Sequence, residues 1–131
     1  MTQASIFLVE DEALIRMMLV EMIAELGHKV IAEAGSVNQA RSLAETERYD
    51  LAILDINLQG TNVQPVAEVV RDRGVPFFFL SGYGSRGLPD GFDGMPVLVK
   101  PCTPDTLKRT IEAVLPNGEP EETQDKRWGA S

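Results

Sequence analysis

Five short apolar runs mark the chain: Ser5–Val9 (SIFLV), Lys29–Ala34 (KVIAEA), Leu51–Leu54 (LAIL), Val75–Leu80 (VPFFFL) and Pro96–Val99 (PVLV). Runs of this length suit strands that are buried on both faces. The first three gaps carry helical spacing, and so does the segment after the last run. Strands alternating with helices predict an α/β fold, a doubly wound five-stranded parallel sheet with helices on both sides.

The helical segments carry their own punctuation. After the first run, Leu14, Met18, Met22 and Leu26 recur at four-residue spacing, and Gly27 stands where a helix stops. On this reading Met17, Met18 and Met22 are helix core. Ser36 offers an N-cap with Gln39 three residues on, and Val37, Ala40, Leu43 and Ala44 form an apolar stripe. A third helix over Asn62–Arg73 tolerates Pro65 in its first turn. The last helix opens with Thr103 as N-cap and Pro104 at the first helical position, with Leu107, Ile111, Val114 and Leu115 on its buried face. Residues 81–94 (SGYGSRGLPDGFDG) hold five glycines and a proline, so a loop or one short turn replaces the fourth helix.

With 131 residues the chain fits one core, read as a domain over 1–118 and a polar, mobile tail over 119–131. The net charge of −8 and the scattered basic residues argue against nucleic acid as a partner. No apolar run is long enough to span a membrane, and strand-like sequence from Ser5 leaves no room for a signal peptide. The single cysteine, Cys102, fits a reducing compartment, so a cytoplasmic location is expected. His28 has no second histidine or cysteine in its company and reads as a surface residue. Trp128 falls in the tail.

Ligands of open parallel sheets bind at the carboxyl ends of the strands. Glu10 and Asp11 follow the first run, Asp55 the third, Ser81 the fourth and Lys100 the fifth. Singly, each has an ordinary reading as helix-start charge, turn former or surface lysine. Together they bring three acids, a hydroxyl and an ammonium to one edge. Converging carboxylates need a proton or a cation, and oxygen donors alone favour a hard ion such as Mg²⁺. With that charge offset, Asp55 can attack phosphorus as a nucleophile and form an acyl phosphate. Lys100 would take up charge on the transferring group, and the Ser81 hydroxyl would bond a phosphoryl oxygen.

The set VEDE, LAILDINL, FFLSGYG and VLVKPC resembles the receiver domain of two-component response regulators, over residues 5 to about 115. The resemblance implies a flavodoxin-like sheet of order 2-1-3-4-5 and Asp55 as phosphoacceptor and metal ligand. It also implies Asp11 as direct Mg²⁺ ligand, Glu10 acting largely through water, and a ligand from the Asn57 backbone carbonyl. Ser81 stands at the switch hydroxyl, Lys100 at the family's lysine, and the bond to Pro101 is expected to be cis. Val97 lies where chemotaxis-type receivers carry an aromatic, and INLQG follows Asp55 where many receivers have a proline. Phe79-Leu80-Ser81-Gly82-Tyr83 is instead similar to the stand-alone FAT-GUY group, which would make Tyr83 a switch aromatic. Its alternative is a ring packed over a glycine-rich loop.

The function implied is a stand-alone phosphorelay switch that catalyses only its own phosphorylation and dephosphorylation. The phosphodonor is a histidine kinase or a histidine phosphotransfer protein. Output runs through an unknown protein, or the chain is a phosphate sink, and it is a monomer or weak homodimer. Three other classes compete. An aspartate-nucleophile phosphatase needs an acid two residues after its nucleophile, where Asn57 stands. A nucleotide or flavin carrier would want a phosphate-cradling loop where Glu10-Asp11-Glu12 repel phosphate. A degenerate receiver would switch by binding alone.

Overall fold

The computed structural model describes residues 3–82, 84 and 86–116. Strands β1 (Ser5–Val9), β2 (Lys29–Ala34), β3 (Leu51–Asp55), β6 (Phe77–Ser81) and β7 (Val97–Val99) form one parallel sheet of order β2-β1-β3-β6-β7. This is the expected order, with β3 central. Every residue of β3 and β6 is buried.

Alternate strand residues feed two cores. Phe7, Val9, Ala52, Leu54, Phe77 and Phe79 pack with α2 (Val37–Thr46) and α3 (Gln64–Asp72). Ile6, Leu8, Ile53, Phe78 and Leu80 pack with α1 (Ala13–Glu25) and α4 (Pro104–Val114). The period of two along each strand thus supplies both faces of the sheet.

The caps follow the local sequence. Gly27 has φ +93° and closes α1, the Gly27 N–H reaching the Ala24 carbonyl and the His28 N–H that of Ile23. The Ser36 hydroxyl accepts from the Gln39 N–H at 3.2 Å, while the Gln39 side chain accepts from Gly35, one residue before the cap. Thr103 and Thr106 cap α4 reciprocally, each hydroxyl accepting the other's N–H at 3.1 Å.

The buried face of α1 differs from the expected one. Leu19 and Ile23 are its buried residues, whereas Leu14, Met17 and Met18 are exposed at 68%, 55% and 50%. The helix is apolar on nearly every side, so its spacing did not select a face. His28 is also buried rather than on the surface, and its Nδ1 accepts the Ala4 N–H at 3.0 Å. Burial lowers its pKa, against the charge of Glu112.

The third helix begins at Gln64, not Asn62, because Asn62 belongs to a small hairpin of β4 (Asn57–Leu58) and β5 (Thr61–Asn62). Its two-residue turn, Gln59-Gly60, has φ +55° and +85°, the left-handed pair that such tight turns require. The Asn62 side chain then accepts the Gln64 N–H at 2.9 Å. No helix forms among the described residues between β6 and β7, and Phe92 is buried there edge-on to Phe77 and Phe79. No helix of the described residues is long and apolar enough to cross a membrane. The tail expected over 119–131, with Trp128, lies outside the described residues.

Candidate functional site

The parallel register sets the ends of β1, β3, β6 and β7 side by side. Asp55 pairs with Leu80, and Ser81 with Val99, so the residues leaving the strands share one edge. Glu10, Asp11 and Asp55 each bring a carboxylate oxygen within 4.8 Å of the others. Lys100 reaches across, its Nζ 3.0 Å from Asp55 Oδ2 and 3.2 Å from Glu10 Oε1. Glu10, Asp55 and Ser81 are buried, so the two carboxylates and the Lys100 ammonium interact with little screening by water.

Backbone and side chains hold each acid. Glu10 Oε2 accepts the Glu12 N–H at 3.0 Å, and the Glu10 carbonyl accepts from Arg16 Nη1 at 2.6 Å. Arg16 in turn pairs with Glu33 of β2 at 3.2 Å. Asp11 Oδ2 accepts the Gln59 N–H at 2.9 Å, from the tip of the hairpin. Asp55 Oδ1 accepts the Asn57 N–H at 3.3 Å, and the Asn57 side chain accepts the Gly60 N–H at 2.7 Å.

Burial pushes the Glu10 carboxyl up to about 7; the Glu12 N–H and Lys100 hold it down, and the charge of Asp55 adds to the rise. Burial works against the charged form of Lys100, yet its bonds to Asp55 and Glu10 and their charges win and raise its pKa. An ammonium locked between two carboxylates is thereby kept protonated.

Above the acids opens a cleft of about 820 Å³ whose lining includes Asp11, Asp55, Asn57, Ser81 and Lys100. The Lys100–Pro101 bond is cis. Tyr83 lies outside the described residues. Three further residues at the site were not foreseen. Gln59 grips Asp11, Arg16 grips the Glu10 backbone, and Arg86 lines the cleft. Gln59-Gly60 carried a local signal, a glycine in a polar pair between two short runs. Arg16 and Arg86 carried none.

The donor set fits a hard divalent cation. Three carboxylates converge with one ammonium between them, and the cluster holds neither imidazole nor thiolate.

The chain is similar to several known proteins. The transcriptional regulatory protein PdtaR of Mycobacterium tuberculosis is 34% identical over 114 residues, which cover 84% of this chain and 56% of the relative. The chain thus spans about half the length of that curated relative. A probable chemotaxis protein CheY of Rhizobium etli is 28% identical over 84% of this chain and 91% of its own length. The solution structure of SdrG from Sphingomonas melonis Fr1 superposes with a TM-score of 0.77 at 36% identity, over 86% of this chain and 98% of that one. The family model for the response regulator receiver domain matches residues 6–112, and the chain belongs to that family.

Proposed function

We propose that this receiver accepts a phosphoryl group on Asp55 from a histidine kinase or a histidine phosphotransfer protein, and that the reaction needs Mg²⁺. The observation that carries the reading is the convergence of Glu10, Asp11 and Asp55 within 4.8 Å, bridged by Lys100. Glu10, Asp11, Asp55 and the Asn57 backbone carbonyl would hold the ion. Bound there, it would offset negative charge on the incoming phosphoryl oxygens.

An Asp55 oxygen attacks phosphorus, the bond from phosphorus to the donor nitrogen breaks, and its electron pair leaves with the imidazole, which takes a proton. The Asp55 carboxylate becomes an acyl phosphate. Lys100 then exchanges a carboxylate for a phosphoryl oxygen as its partner, keeping its charge where negative charge develops. The Ser81 hydroxyl bonds a second phosphoryl oxygen. Movement of Ser81, whose carbonyl accepts the Lys100 N–H at 2.8 Å, changes the surface that a downstream protein reads. Without such a partner the same chemistry makes a phosphate sink.

Intact mass after incubation with acetyl phosphate, with and without Mg²⁺, tests the reading on wild type and Asp55→Asn. The expected result is a Mg²⁺-dependent gain of one phosphoryl group that the variant lacks. A blank with both acetyl phosphate and a phosphorylated histidine donor would make the chain a binding-only switch.

A further inference from the structure

The cleft over Asp55 has an acidic wall. Asp11, Glu12 and Asp55 line it, with Lys100 beside them. Lys100 is already committed to Glu10 and Asp55. Arg86 lines the same cleft from the segment after β6, and its side chain is exposed. Among the described residues it enters no ion pair. Among the described residues it is therefore a cation with no acidic partner at the mouth of a site that repels anions.

The chain on the far side of Arg86 is anchored. The Gly87 carbonyl accepts from the Asn62 side chain of β5 at 3.0 Å. Gly87 has φ +86°, and a Cβ there would sit 3.5 Å from Ile56, the neighbour of Asp55. Leu88 packs against the core beyond it. Phe92 then closes the segment, 5.8 Å from Phe77 and Phe79 with the Arg71 guanidinium 4.9 Å over its ring. Arg86 thus stands one residue before a fixed stretch, not at a loop tip.

We propose that Arg86 binds the phosphoryl group of the donor at the mouth of the Asp55 cleft and sets the affinity for the phosphodonor. This rests on Asp55 being the phosphoacceptor. A guanidinium presents paired N–H donors that match two phosphoryl oxygens, and its charge offsets the acids the donor must pass. The contact is exposed, so it is modest in size. Bond making and breaking stay with Asp55 and Lys100, so the contact acts on donor binding more than on the maximal rate.

The test follows the labelling rate against donor concentration at saturating Mg²⁺, for wild type, Arg86→Ala, Arg86→Gln and Arg86→Lys. The donor is acetyl phosphate, or a phosphorylated histidine phosphotransfer domain if that alone labels. Arg86→Ala is expected to raise the half-saturating concentration about three- to fivefold while the maximal rate stays within about twofold. Arg86→Lys falls between, and Arg86→Gln gives the same readout should the alanine variant lose its fold. An unchanged half-saturation, or a fall in maximal rate alone, overturns the role of Arg86 while leaving Asp55 as acceptor. A wild type that takes no label from either donor removes both readings.

Discussion

Glu10 is fully buried beside a second acid, and its protonation decides what the site can hold. Its carboxyl is pushed by burial to about 7 from an ordinary 4.5. The folded state therefore holds the proton more tightly than the unfolded chain does. The stability this gives is fully present below pH 4.5 and is lost as pH rises through about 7. The whole swing is on the order of 3 kcal/mol. Urea unfolding without divalent ions, at pH steps from 4 to 8, reads it as the difference between wild type and Glu10→Gln. Glutamine keeps the volume and cannot ionise, so wild type should lose ground to it steadily across that window. A difference that is flat with pH would mean that Lys100 already neutralises Glu10 at every pH.

At the scale of the element, α1 separates what the sequence specifies from what it leaves open. Leu19 is buried against β-strand residues of the second core, while Leu14 is 68% exposed. Truncating Leu19 to Ala leaves a cavity and should cost about 2–5 kcal/mol, whereas Leu14→Ala should change stability by less than about 0.5 kcal/mol. Denaturant midpoints of the two variants check this, and a larger loss for Leu14→Ala than for Leu19→Ala would place the buried stripe on the other face. The helix was legible in the sequence from its periodicity and Gly27, but its face was not, because apolar residues surround it. Strand ends were easier to read. An apolar run that stops on Asp55 or Ser81 marks its own carboxyl end, and a parallel sheet puts all such ends together. The Gln59–Gly60 hairpin escaped because each of its strands spans only two residues, too few for a periodicity. His28 escaped because its partner is the backbone of Ala4, a contact that leaves no trace in side-chain pattern.

For the whole molecule, the acids at the sheet edge store repulsion that the fold must carry until a cation arrives. Anything that binds the folded state alone stabilises it, by about 2.7 kcal/mol at a hundred times its dissociation constant. Mg²⁺ should therefore raise the melting temperature by several degrees at pH 8. The rise should shrink at pH 5.5, where the Glu10 carboxyl, with its pKa near 7, carries a proton that the ion must displace. Asp11→Asn and Asp55→Asn each remove a donor and relieve repulsion at once. Their melting temperatures without metal can consequently match or exceed wild type, and the informative quantity is the shift on adding Mg²⁺, which should nearly vanish. An equal shift at both pH values would separate Glu10 from the metal and leave Asp11 and Asp55 as the donors. A shift that persists in both variants would place the ion elsewhere on this acidic chain, and the cluster would then be held by Lys100 alone.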